Sequence, residues 1–145
     1  MSNLDNVVED FLTLLGFIKN NFFRPAEQIT RSRLSPGQFH AVTILYHKGS
    51  LPMSELACEM KISKQQLTPL ICKLIDSNLV VRQTEEQDRR IVRIEITEEG
   101  RRAFRELMAR MKQAFREKLS VLPDTELEEL DQMLKSIQTM LNSVT

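Results

Sequence analysis

Apolar residues recur at helical spacing from the start of the chain. Leu4, Val7, Val8, Phe11, Leu14, Leu15, Ile18 and Phe22 fall on one stripe, which predicts a long amphipathic helix over 4–22. Pro25 marks a break or a restart. Ser35-Pro36-Gly37-Gln38 then reads as a helix start: a serine cap, a proline at the first helical position and a glutamine able to close a capping box. Phe39, Val42, Ile44, Leu45 and Tyr46 give that helix its apolar faces, and Gly49 ends it. After Pro52, the residues Leu56, Ala57 and Met60 form the buried edge of a short helix, and Ile62 fills a turn. Ser63-Lys64-Gln65-Gln66 repeats the serine-glutamine start. The helix it opens carries Leu67, Leu70, Ile71 and Leu74 on one face.

The period then changes. Val80-Val81-Arg82-Gln83-Thr84 is β-prone, and Ile91-Val92-Arg93-Ile94-Glu95-Ile96 alternates apolar with polar. A polar link from Glu85 to Arg90 joins them as a hairpin, and Asn78, tolerant of left-handed backbone, closes the helix before it. Thr97-Glu98-Glu99 starts another helix, with acids in its positive first turn, which runs to about Leu119 through Phe104, Leu107, Met108, Met111 and Phe115. Pro123-Asp124 starts the last helix, whose Leu127, Leu130, Leu134, Ile137, Leu141 and Val144 keep a three-four spacing. The fold class is therefore mainly α with a small β-wing, a winged helix-turn-helix. Such a unit holds one helix in a DNA major groove.

Composition adds limits. The chain of 145 residues is one domain or two small subdomains, with 20 basic and 20 acidic residues and no net charge. Overall charge therefore does not announce nucleic acid, but its distribution does. Between Lys61 and Arg93, seven basic residues stand against four acids, and a phosphate responds to the field of the face it meets. The segment MSNLDNVVEDF carries acids and no basic region, so no signal peptide is expected, and no apolar run is long enough for a membrane span. Cys58 and Cys72 lack metal or disulfide spacing, which suits a reducing cytoplasm. His40 and His47 lie two helical turns apart, about 10 Å, too far to share a metal. Isolated glycines and the absence of a phosphate loop or nucleophile elbow argue against an enzyme; no cofactor and no metal are expected.

The candidate site gathers on the second helix of the helix-turn-helix and on the hairpin. Ser63, Lys64, Gln65, Gln66 and Thr68 lie at the helix start, opposite the apolar stripe. Glutamine can bond adenine with two hydrogen bonds, and lysine can take guanine or phosphate. Pro69 belongs to the same segment and, lacking an amide hydrogen, is expected to bend it. Lys73 and Arg82 are placed for the phosphate backbone, and Arg89 and Arg90 at the hairpin tip for a backbone or minor groove. Cys72, near the face of Thr68, and Cys58 are candidates for a redox switch, although a small tolerated residue explains either. Phe17, Phe22, Phe39, Tyr46, Phe104, Met108 and Phe115 are first of all core residues.

Asp88-Arg89-Arg90 followed by Ile96-Thr97-Glu98-Glu99-Gly100 resembles the wing signature of the MarR family of bacterial transcription regulators. Gln66-Leu67-Thr68, Leu74 and Leu79-Val80-Val81-Arg82 resemble that family's recognition helix and its exit. The resemblance covers essentially the whole chain. It implies a six-helix fold and a homodimer on a pseudo-palindromic operator in double-stranded DNA. Residues 1–34 and 101–145 would be dimerisation regions flanking a DNA-binding lobe at 35–100, with Leu4, Val7, Phe11, Leu127, Leu130, Leu134, Ile137 and Leu141 at the dimer interface. It further implies that Asp88 braces the wing through an arginine, that Arg90 enters the minor groove, and that a small aromatic or amphipathic effector releases a repressor. The sequence departs from the family at Pro69 and at Asn78, where glycine is usual. Thr68-Pro69 is similar to the peroxide-sensing branch, whose first-helix cysteine is missing here. Two alternatives stand beside this reading: a thiol-based redox sensor and a winged-helix module for protein partners.

Overall fold

A computed structural model describes residues 2–145. The described residues divide into two compact units, with the boundary between Met111 and Lys112. The first unit opens with α1 (Asn3–Ile18), a π-helical turn at Lys19–Phe23 and α2 (Arg24–Arg31). These three follow without leaving helical dihedrals and count as one helix, which with the five later helices makes six among the described residues. The break expected near Pro25 is this π turn, and Pro25 sits in the first turn of the helix that resumes after it.

Helix α3 (Pro36–Lys48) starts on a complete capping box between Ser35 and Gln38, and Gly49 ends it at φ 81°. Strand β1 (Ser50–Pro52) follows, then α4 (Met53–Met60) and α5 (Lys64–Asp76). The turn between those helices passes through Lys61 in left-handed backbone, with the Lys61 and Ile62 amides donating to the Cys58 and Ala57 carbonyls at 3.1 Å each. Ser63 and Gln66 close another capping box at the start of α5. Ser63→Ala should therefore cost about 1 kcal/mol, read as a lower thermal midpoint. Asn78 at φ 60° turns the chain out of α5, as its sequence position predicts.

Strands β2 (Val80–Thr84) and β3 (Val92–Ile96) form the hairpin, and β1 adds to the other edge of β3, giving the order β1-β3-β2. Both pairings are antiparallel, with Leu51 opposite Ile94 and Arg82 opposite Ile94. The sequence pattern predicts two strands; the third, β1, takes its strand geometry from pairing with β3. Ile91, expected in the strand, belongs to the link, where its amide donates to Asp88 at 3.0 Å. Helix α6 (Glu98–Leu119) starts at Thr97, whose hydroxyl donates to the Asn78 carbonyl at 2.6 Å and accepts from the Gly100 amide at 2.9 Å.

The core of the first unit is built from Val42, Leu45, Leu56, Leu67, Ile71, Leu74, Ile94 and Leu107, all essentially without solvent contact. It fixes α5 on α3, α4 and the sheet. Phe104 packs its ring 4.3 Å from Tyr46 and 6.0 Å from Phe39. Phe17 corrects the expectation of a core aromatic: it stands exposed, as do Leu4, Val7, Phe11 and their neighbours on α1.

The second unit comprises the end of α6 and α7 (Asp124–Asn142) and buries no residue. Leu134, Ile137 and Leu141 are exposed; Leu127 and Leu130 are half-buried. No helix among the described residues is long and apolar enough to cross a membrane.

Candidate nucleic-acid interface

Burial of one face of α5 decides what its other face presents. Leu67, Ile71 and Leu74 are sunk in the core, which leaves Lys64, Gln65, Thr68, Pro69, Cys72 and Lys73 exposed on the outer side. The helix continues through Pro69 as one α element from Lys64 to Asp76. Two of its polar groups are already engaged. The Gln66 side-chain carbonyl accepts from the Ser63 amide at 3.0 Å, and the Thr68 hydroxyl donates to the Lys64 carbonyl at 2.8 Å. Gln66 thus spends its acceptor on the cap, whereas the exposed Gln65 keeps both its donor and its acceptor available.

The hairpin stands beside this helix. Between the two runs a groove of about 360 Å³. Ser54, Lys64, Thr68, Arg82 and Arg90 supply its polar wall, and Pro52, Met53 and Val92 its apolar floor. Four of the residues singled out from the sequence (Lys64, Thr68, Arg82 and Arg90) therefore meet around one space, drawn from helix, strand and hairpin tip. Gln65, Lys73 and Arg89 do not line it.

At the tip, Asp88 accepts from the Arg90 guanidinium at 3.1 and 3.2 Å and from the Arg90 amide at 3.0 Å. The Arg90 side chain remains 91% exposed. Two bonds from one carboxylate fix the plane of a guanidinium that is otherwise free to meet solvent or a ligand. The side-chain bond from Arg90, then the backbone bond from the same residue, hold the Asp88 carboxyl below its ordinary pKa. The brace is therefore intact at neutral pH and is lost only as pH falls through that lowered value.

One set of contacts at the base of the wing is not legible in the sequence. Arg93, counted there only as a positive charge, donates to the Ser50 hydroxyl at 3.1 Å, the Ser50 carbonyl at 3.3 Å and the Glu85 carboxylate at 3.0 Å. Its partners lie eight and forty-three positions away, beyond the reach of any local pattern. Cys58 and Cys72 are unpaired and exposed on α4 and α5.

Comparison with known proteins agrees with this architecture. Residues 34–92, which span the helix-turn-helix and most of the hairpin, match the MarR family model. The chain is similar to the HTH-type transcriptional regulator MhqR of Bacillus subtilis (28% identical over 111 residues, 77% of each chain). It is also similar to the HTH-type transcriptional repressor MdtR of the same organism, 27% identical over 128 residues that cover 88% of this chain and 83% of the relative. Among solved structures, a MarR family protein from Bacillus stearothermophilus superposes with a TM-score of 0.82 at 24% identity, over 98% of this chain and 99% of that one. Family model, relatives and fold all support the MarR family, whose wing signature the residues Asp88 to Gly100 resemble.

Proposed function

We propose that this protein is a sequence-specific DNA-binding transcriptional regulator, acting as a repressor in the form of a cytoplasmic homodimer on a pseudo-palindromic operator. The observation that carries the reading is the polar groove between α5 and the wing, where Lys64, Thr68, Arg82 and Arg90 converge. A duplex presents a phosphate strand between a major groove and the adjacent minor groove. A helix and a wing with cations between them match that relief.

In this arrangement α5 lies in the major groove. Gln65 reads a base edge, with Lys64 and Thr68 at neighbouring bases or phosphates and Ser63, Gln66 and Pro69 shaping the entry of the helix. Lys73 and Arg82 hold the backbone. Arg90, oriented by Asp88, enters the minor groove with Arg89 beside it, where a narrow A·T-rich groove attracts arginine without strict base reading. A small amphipathic or aromatic effector would act by changing the separation of the two recognition helices, since both must meet grooves about one helical turn apart.

Fluorescence anisotropy with a duplex selected from random sequence tests the reading. Gln65→Ala should lower the preference for the selected duplex over a scrambled one by roughly 1–3 kcal/mol. Arg90→Ala should weaken both duplexes alike and reduce the salt slope by about one. Binding by the unaltered protein that ignores salt and sequence would instead favour a winged-helix module for protein partners.

A further inference from the structure

We propose that Arg93 is a positioning residue that sets the angle of the wing, an assignment that rests on the DNA-binding reading above. The argument begins with the register. Strand β1 pairs with β3 only as far as Pro52 opposite Arg93, whereas β2 continues alongside β3 to Thr84 opposite Val92. Arg93 is therefore the last residue of β3 with a strand on both sides. Beyond it the three-stranded sheet becomes a two-stranded ribbon ending in the tip. A lone ribbon of that kind is marginally ordered in water.

At this junction one guanidinium reaches both ways. Its Nε and Nη2 bond the hydroxyl and carbonyl of Ser50 on β1, and its Nη1 bonds the carboxylate of Glu85, the first residue of the link. The Glu85 amide in turn donates to the Ile91 carbonyl at 3.1 Å, so the grip extends across the base of the tip. The pair is only 34% and 30% exposed, unlike the open Asp88–Arg90 brace, so solvent and salt screen it less. The two braces divide the work. Asp88 fixes Arg90 within the tip, and Arg93 fixes the tip against the lobe that carries α5. A lysine has the charge of Arg93 but not the planar fork that spans two partners.

Glu85 gives the proposal its sharpest consequence. It is an acid on the wing, and removing a negative charge near a phosphate backbone ordinarily tightens binding. If Glu85 serves to hold Arg93, its removal weakens binding instead.

The test is a double-mutant cycle on the full-length protein, read by anisotropy against the selected duplex. Arg93→Lys is expected to weaken binding about tenfold and to lower the salt slope, because Arg90 no longer arrives at the groove. In the Arg90→Ala background the same change should cost less than about twofold, since the residue it positions is gone. Glu85→Gln should weaken binding several-fold with a thermal midpoint close to that of the unaltered protein. Equal losses from Arg93→Lys in both backgrounds, or tighter binding by Glu85→Gln, would overturn the assignment while leaving the DNA-binding reading intact. No salt-dependent binding of any selected duplex by the unaltered protein would remove both.

Discussion

Placing glutamates at Ile137 and Leu141 together is expected to give a monomer in sedimentation and to weaken duplex binding by about 100-fold or more. Helix α7 carries Leu127, Leu130, Leu134, Ile137 and Leu141 at a spacing that makes one continuous seam. In the single chain Ile137 is 38% and Leu141 37% exposed. The unit that contains them buries nothing. Full burial of such side chains is worth roughly 1.5–3 kcal/mol each, so a helix that leaves them in water forgoes much of its stabilisation. A second copy of the chain, offering the same seam and the equally exposed α1, covers them under the proposed dimer. A charged pair in that seam would be buried without partners, which disfavours association strongly. Each monomer would then engage a single half-site and lose the effective concentration that tethers the second lobe. A variant that still sediments as a dimer would place the interface elsewhere. A monomer that keeps wild-type affinity would show that pairing is not what holds the protein on DNA.

Gly100→Ala is expected to lower the thermal midpoint by about 10 °C, from a destabilisation of about 3 kcal/mol. Gly100 lies buried in the first turn of α6, where its amide donates to the Thr97 hydroxyl. A β-carbon there would press into the Leu79 carbonyl oxygen and stand 2.8 Å from the Ile96 side chain. That carbonyl also accepts the Thr97 amide at 3.0 Å. The obstruction is therefore backbone at a crowded crossing of α5, the sheet and α6, and neither side can yield cheaply. Differential scanning calorimetry measures the change directly; a midpoint within about 2 °C of the unaltered protein would show that the crossing relaxes.

The features legible in the sequence are those whose cause is local. The capping boxes at Ser35 and Ser63 could be read because serine and glutamine three positions apart satisfy each other's backbone groups wherever a helix begins. The turn at Asn78 could be read because few residues accept its backbone conformation. Strand β1 could not, because Ser50-Leu51-Pro52 has no strand character until β3 lies beside it. The clamp of Arg93 was hidden for the same reason. At the interface, the sequence placed Gln65 and Gln66 together among the candidate contacts, with Gln66 also in the helix start. The cap geometry shows that the acceptor of Gln66 is taken. The pairing of Asp88 with Arg90 rather than Arg89 likewise required coordinates.

The π turn at Lys19–Phe23 has a consequence for how the length of this chain can vary. A π turn is an α-helix carrying one surplus residue, accommodated by widening a single turn. Deleting one residue there would restore an uninterrupted α-helix and rotate everything after it by about 100° relative to everything before. Ala26 and Thr30, which α2 sinks into its own unit, would then turn away from the surface they pack on whenever the stripe of α1 kept its direction. The surplus residue thus works as a phase shifter between two apolar faces. Within residues 3–31, substitutions should be tolerated far more readily than insertions or deletions.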